Sequence, residues 1–270
     1  MRIVVLLSRM ERAKEVIAVA AEKAARLEAG VTLLYVREEK LFALPIFGRE
    51  EPSMDGAREH LRTLAREAGG EEWAVLTYDD DPVDRALLEA GREKATLLIS
   101  DLEGEERSEL IEKARLSLLL LEPGTVHECA KALAVFDPAY SGDSCLAQAR
   151  RILGAKRWSA YLDYQVVPTM GSDISMDPML DTLNIDVEIE EELMEVRRKA
   201  FMELCEAEGI PGTFEVGELG MTEDILNRAE AENAECLALI VEDHDTLFAE
   251  VLGELASRIR RDLLVCFQHP

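Results

Sequence analysis

ALAVFD, at Ala132–Asp137, marks the point at which this chain begins its fold a second time. A short apolar run ends there in an acidic residue and is followed by a turn at 138–142 and an amphipathic helix. The chain opens in the same way with IVVLL at Ile3–Leu7, followed by Ser8. We therefore interpret the protein as one fold that is encoded twice in tandem.

The first half alternates between short apolar runs and longer segments with helical spacing. Apolar runs of four to eight residues are typical of strands buried on both faces. They predict strands at Ile3–Leu7, Val31–Val36, Trp73–Tyr78, Thr96–Ser100 and Leu116–Leu121. Apolar residues at three- and four-residue intervals predict helices at Glu11–Ala29, Met54–Ala68, Val83–Lys94 and Glu105–Ala114.

The second half repeats this order of elements. Strands are predicted at Ala132–Asp137, Arg157–Leu162, Thr213–Val216, Cys236–Val241 and Leu263–Phe267, and helices at Ser144–Leu153, Glu190–Glu208, Thr222–Asn233 and Leu247–Arg260. A long connection is expected over Tyr164–Ile185. For the helix at Glu190–Glu208 we expect a buried stripe formed by Leu193, Val196, Ala200, Leu204 and Ala207.

Strands that alternate with helices at this spacing predict an α/β fold with parallel sheets and helices on both faces. The linker Glu122–Ala130 carries Pro123 and Gly124, which favour a turn, and separates a first domain at 1–124 from a second at 131–270. With 270 residues, of which 48% are hydrophobic, the chain is large enough for two cores.

The charge of the chain excludes several classes of partner. Its net charge is −25, so DNA, RNA and anionic membrane surfaces would be repelled. No apolar stretch approaches the roughly 20 residues of a membrane span, and the N-terminal run is interpreted as a first strand. The five cysteines are widely spaced without a CxxC pair, so we expect buried core thiols and a cytoplasmic location.

Several stretches carry a resemblance to a known family. They are RIVVLLSRMERAKEVIAVAAEKA, DDDPVDRALLEAGREKATLLIS, ECLALIVED and GELASRIRRDLLVCF. On these stretches and the element order, each half resembles a universal stress protein domain, and the chain resembles a tandem member of that family. The resemblance implies five strands per domain in the order 3-2-1-4-5. It also implies that Leu116–Leu121 pairs with Leu263–Phe267 in an internal pseudo-dimer, while a homodimer of the chain stays open.

The resemblance also implies where a ligand would bind. In open parallel sheets, ligands bind beyond the carboxyl ends of the strands where strand order reverses, here between strands one and four of each half. Family members that bind ATP have an acidic residue after strand one and a glycine-rich loop, G-x2-G-x9-G-S/T, after strand four. The first half has Ser8 in place of the acid, and Gly104 stands alone among carboxylates, so no nucleotide is expected there.

The second half keeps part of the pattern. Asp137 is the acid after strand one, and Gly253 matches the last glycine of the loop. Glu254 replaces the Ser/Thr, and the two earlier glycines are absent. Carboxylates at Glu242, Asp243 and Asp245 would repel phosphate unless a metal bridged them. We expect a degenerate site, with Asp137 and Gly253 as the nucleotide-binding candidates if ATP binds; a neutral or cationic ligand, or a divalent ion, is an open alternative.

No catalytic group is predicted. Tyr140–Ser144, YSGDS, faintly resembles the loop of ATP pyrophosphatases, but it is shorter and lacks a glycine, so a polar turn that caps a helix is preferred. His127, Glu128 and Cys129 are adjacent in sequence and have no visible partner cluster, so no metal site is expected.

The function that follows is a stress-response-type regulatory or interaction protein. We expect it to act through an unidentified protein partner, with degenerate sites, no required cofactor and no enzyme activity. An adenine-nucleotide sensor that uses the second domain is the first alternative. An ATP-dependent enzyme of the pyrophosphatase-like class is the second.

Overall fold

The computed structural model describes residues 1–37, 53–125, 127–138, 143–165, 182–217, 220–241 and 246–267. Within these ranges the strands are β1 (Arg2–Leu7), β2 (Gly30–Arg37), β3 (Ala74–Asp79), β4 (Leu97–Ser100), β5 (Ser117–Leu120), β6 (Lys131–Val135), β7 (Arg157–Tyr164), β8 (Gly212–Val216), β9 (Cys236–Val241) and β10 (Asp262–Phe267). The helices are α1 (Ala13–Leu27), α2 (Met54–Glu67), α3 (Pro82–Glu93), α4 (Gly104–Lys113), α5 (Asp143–Leu153), α6 (Thr182–Glu208), α7 (Met221–Ala231) and α8 (Thr246–Arg258).

The ten strands form one continuous sheet in the order β3-β2-β1-β4-β5-β10-β9-β6-β7-β8. Within each half all neighbours are parallel and follow the predicted order 3-2-1-4-5. The halves meet where β5 pairs antiparallel with β10, with Leu119 opposite Leu264. The predicted α/β class and internal pairing are therefore confirmed, and the pairing covers two strand edges that would otherwise be exposed. The domain boundaries at 124 and 131 stay a prediction.

The central strands are apolar because both faces of the sheet are covered. Every residue of β4, β5, β9 and β10 is buried. One apolar cluster lies between the sheet and α1, α2, α5 and α6, and a second lies between the sheet and α3, α4, α7 and α8. This arrangement leaves the carboxyl ends of the strands, rather than the faces of the sheet, as the place for a ligand.

Helix α6 departs from its prediction in length and in orientation. It begins at Thr182, so the end of the expected connection at Tyr164–Ile185 is helical, and Tyr164 itself belongs to β7. The predicted buried stripe is wrong except at Leu204, which packs against the core: Val196 is 66% exposed, whereas Phe201 is fully buried and its ring lies 5.3 Å from that of Phe136. Apolar residues occur on two sides of this helix, and the sheet covers the side with Phe201 and Cys205.

The cysteines divide into two groups. Cys145, Cys205 and Cys266 are buried thiols, as predicted. Cys129 in the linker and Cys236 at the start of β9 form a disulfide, which the spacing did not predict, and their Cα atoms are 5.8 Å apart. The disulfide therefore ties the linker to the second half.

Among the described helices, none is both long enough and apolar enough to cross a lipid bilayer.

Candidate functional site

The first switch point, at the carboxyl ends of β1 and β4, is lined by residues of the chain that contact one another. Ser8 follows β1, and its backbone N–H donates a hydrogen bond of 2.9 Å to Oδ1 of Asp101, which follows β4. The Asp101 side chain is fully buried. Its carboxylate therefore lies at the reversal of strand order, where an open sheet would hold a ligand.

Two arginines contact the carboxylates that follow β4. Arg12 precedes α1, and its Nη1 atom lies 3.4 Å from the Asp101 carbonyl oxygen and 3.9 Å from Oδ2. Arg9 forms two hydrogen bonds, of 3.2 and 3.0 Å, with Glu103. Burial raises the pKa of Asp101, although the Ser8 N–H and the charge of Arg12 act in the opposite direction. Two ion pairs, Arg9–Glu103 and Arg12–Asp101, thus lie at the first switch point.

Gly104 begins α4 with a positive φ of 59°. A helix N-terminus can bind phosphate through its free N–H groups. Here Glu105 and Glu106 occupy the first turn and place negative charge at that end. These carboxylates interact favourably with the positive end of the helix dipole, and they would repel a phosphate.

The second switch point, at the carboxyl ends of β6 and β9, is built around Asp137. Its Oδ2 atom accepts a hydrogen bond of 3.0 Å from Nη1 of Arg197 on α6. The packing of Phe201 against Phe136 fixes α6 over the end of β6 and so positions Arg197. The Arg197 guanidinium also lies 5.6 Å from the ring centroid of Tyr164, at the end of β7.

Asp163 adds a buried carboxyl group at the end of β7. Burial, with smaller contributions from the charges of Asp224 and Glu215, raises its pKa to about 6. Gln165 donates a hydrogen bond to Oδ2. This end of the sheet therefore carries a carboxyl group that is easier to protonate than an ordinary aspartate.

Gly253 lies in the interior of α8, seven residues after its start at Thr246. A Cβ atom added to it would meet nothing within 4 Å. The next residue, Glu254, accepts a hydrogen bond of 3.1 Å from the Thr222 hydroxyl of α7. Asp137 thus lies just beyond β6, whereas Gly253 lies about two turns into the helix that follows β9.

Several predicted candidates lie outside the described residues. These are Glu242, Asp243 and Asp245 after β9, and Tyr140–Gly142 of the YSGDS turn. Asp143 and Ser144 open α5, and nothing is described of their side chains.

Within the described ranges, no group of three His, Cys, Asp or Glu side chains is arranged to hold a metal ion. The side chains of His127 and Cys129 in the linker contact different residues. His127 contacts two carboxylates, and Cys129 is bonded to Cys236. The linker triplet is therefore not a metal site in this structure.

The sequence interpretation missed Arg12, Arg197 and Asp163. A usable signal existed for Arg197, since Arg197, Arg198 and Lys199 form a basic triplet in an otherwise acidic helix. Asp163 ends an apolar run in the same way as Asp137 does, but the predicted strand stopped one residue before it. Arg12 lies among exposed charged residues and gave no signal.

The fold is that of universal stress proteins. A protein of unknown function from Pseudomonas aeruginosa PAO1 matches with a TM-score of 0.61 at 15% identity, over 98% of this chain and 92% of that one. A chain provisionally described as a universal stress protein from Pseudomonas aeruginosa UCBPP-PA14 matches with a TM-score of 0.62 at 14% identity, over 98% and 92%. A universal stress protein from Archaeoglobus fulgidus DSM 4304 matches with a TM-score of 0.57 at 12% identity, over 99% and 96%.

No protein-family model matches the sequence, and no curated protein is similar to it at a significant level. At these identities the likeness to the solved structures concerns the fold. The predicted resemblance to universal stress proteins is confirmed at that level.

Proposed function

We propose that this chain is a cytoplasmic regulatory or interaction protein of the stress-response type, whose first half does not bind a nucleotide. The observation that carries the proposal is the contact between Ser8 and Asp101. A nucleotide at the first switch point would have to displace a buried carboxylate together with its hydrogen bond to Ser8 and its ion pair with Arg12. The two carboxylates at the start of α4 would also face the phosphates.

Action through protein contacts is supported by the surface of α6. Leu193, Val196 and Met202 are large apolar side chains that are exposed on this helix. Leu193 and Val196 are one helical turn apart, and neighbouring exposed apolar groups are typical of surfaces that a partner covers. We propose no enzyme activity for the chain and no cofactor that it requires.

A second candidate function is an adenine-nucleotide sensor that uses the second half. Arg197 favours it, because a guanidinium at the sheet edge can bind a phosphate bidentately. Asp137 would then contact the ribose or base, as the resemblance implies, and Gly253 would leave room on α8. The cost is that Arg197 must leave, or share, its ion pair with Asp137.

The experiment that separates the two functions is a titration of the intact chain with Mg–ATP in an isothermal titration calorimeter. The regulatory proposal expects no heat of binding in the wild type. The sensor alternative expects one site per chain that is lost in Asp137→Ala and in Arg197→Ala. Asp101→Ala serves as the matched control at the first switch point, because it removes the buried carboxylate. A binding site for ATP that appeared only in this variant would support the proposal that Asp101 closes the first half.

A further inference from the structure

His127 of the linker Glu122–Ala130 lies between the two halves and contacts an acid from each of them. Its Nδ1 atom is 2.9 and 2.8 Å from the two carboxylate oxygens of Asp262, which begins β10. Its Nε2 atom is 2.6 Å from Oε1 of Glu15 on α1. An ionised carboxylate only accepts hydrogen bonds, so both ring nitrogens must donate, and the ring that fits this geometry is the imidazolium.

Burial makes this contact more than a surface ion pair. The side chains of His127 and Asp262 are 7% and 6% exposed, while Glu15 is half-buried. Burial alone would lower the pKa of His127, but the hydrogen bonds and charges of Asp262 and Glu15 outweigh it and raise that pKa above its usual value. His127 in turn contributes to lowering the pKa of Glu15, against the effect of burial.

The charged groups around this contact come from every element that packs against it. Glu122 donates its backbone N–H to Oδ1 of Asp262 at 2.9 Å, and its carboxylate pairs with Arg107 of α4 at 2.8 Å. Arg260, which follows α8, lies 3.8 Å from Glu122. On the other side, Nε of Arg12 lies 3.5 Å from Oε2 of Glu15. From His127 to the first switch point the charges alternate, whereas Glu122 and Asp262 are neighbouring acids joined through the Glu122 backbone N–H.

We propose that His127 is a proton-operated clasp that joins Glu15 of the first half to Asp262 of the second, and that this clasp opens as the pH rises. A neutral ring keeps one N–H, so one nitrogen would present a lone pair to a carboxylate. Either Asp262 or Glu15 then loses its hydrogen bond to His127, and the side-chain bridge between the two halves is broken.

The sign of the pH dependence follows from the direction of the shift. The folded-state pKa of His127 is raised above the unfolded value of about 6.5. The stabilisation is therefore fully present below about pH 6.5 and is lost as the pH rises through the folded-state value.

Release of the clasp has a consequence at the first switch point. Glu15 is shared by His127 and Arg12, and Arg12 also lies near Asp101. When His127 loses its proton, Arg12 is the cation that remains beside Glu15. The charge of Arg12 is then shared between Glu15 and Asp101 in a different proportion. The clasp thus links the protonation of the linker to the ion pairs that close the first half.

The test is an NMR titration of the imidazole resonances of the intact chain, assigned with His127→Gln. The His127 midpoint should be higher in the native protein than in the same protein unfolded in urea. Glu15→Gln, a conservative change at a half-exposed site, should move the native midpoint down. A native midpoint at or below the unfolded one would overturn the proposal, and so would a midpoint that Glu15→Gln leaves unchanged.

A second measurement does not depend on resonance assignment. The urea midpoint of unfolding is compared for wild type and His127→Gln at pH 6 and pH 9. We expect a lower midpoint for the variant at pH 6 and a smaller gap at pH 9. His60→Gln, the same change on the exposed surface of α2, is the matched control and should match wild type at both values. A gap for His127→Gln that is equal at both values would show that the ring acts by packing and not by its proton.

Discussion

The backbone N–H of Ser8 and the Oδ1 atom of Asp101 are joined by a hydrogen bond of 2.9 Å, although the two residues are 93 positions apart. They follow the neighbouring parallel strands β1 and β4, so the bond spans the place where strand order reverses. In the second half the corresponding place is lined by Asp137, which pairs with Arg197. The two halves therefore share a fold and fill their switch points with different residues.

Replacing Asp101 tests the energetic weight of this closure. Asp101→Ala leaves the Ser8 N–H and part of Arg12 without an acceptor in a buried setting, so the free energy of unfolding should fall by about 2–3 kcal/mol. Asp101→Asn keeps an oxygen for Ser8 and should cost less than half as much. Urea denaturation measures both. Equal losses in the two variants would mean that the hydrogen bond to Ser8 contributes little.

Asp163 should destabilise the folded protein at neutral pH. Its pKa is raised from the usual 3.8 to about 6, so the folded state disfavours the carboxylate. This cost is fully present above about pH 6 and declines as the pH falls toward about 4. Asp163→Asn should therefore raise the free energy of unfolding by about 1–3 kcal/mol at pH 8, and by less at pH 5. A variant that is less stable than wild type at pH 8 would contradict the shift.

The orientation of α6 is tested by a pair of substitutions on opposite sides of the helix. Phe201→Ala removes a fully buried ring and should lower the free energy of unfolding by about 3–5 kcal/mol. Val196→Ala, on the exposed side, should change it by less than about 0.5 kcal/mol. Thermal unfolding of the two variants is sufficient. If Val196→Ala proved the more damaging, the helix would have to be rotated to the face that its sequence pattern suggested.

The disulfide between Cys129 and Cys236 should contribute to stability under oxidising conditions. The two residues are 107 positions apart, so the bond closes a long loop in the unfolded chain. Reduction should lower the free energy of unfolding by about 2–5 kcal/mol. Cys129→Ser provides the control, since dithiothreitol should then have no effect. A wild-type protein that is equally stable with and without reductant would argue against the bond.

The strands were predictable because burial on both faces leaves continuous apolar runs. The run CLALIV at Cys236–Val241 coincides with β9, since polar residues bound it on both sides. The order of strands followed from the resemblance to a known family and not from the runs themselves. The buried face of α6 was harder to predict. Its sequence has apolar residues on two sides of the helix, and the pattern does not indicate which side the sheet covers.

The candidate site was predicted only in part. Asp137 could be located because it comes two residues after β6. A residue so close to a strand in sequence must lie near the end of that strand. Arg197, the partner of Asp137, lies 60 residues away, and the two acids that hold His127 lie 112 and 135 residues away. The first pairing depends on tertiary packing within the second half, and the His127 contacts depend on packing between the halves; local pattern encodes neither. The same holds for Asp101, whose acidity suggested a repelled ligand and not a closed site.

The central claim is that the first half is closed to nucleotides and that the chain needs none to function. The most direct measurement is to denature freshly purified protein and to identify and quantify the released small molecules by mass spectrometry. We expect no adenine nucleotide at a level comparable to the protein. Two nucleotides per chain would contradict the closure by Asp101. One per chain, lost in Asp137→Ala, would replace the regulatory proposal with the sensor.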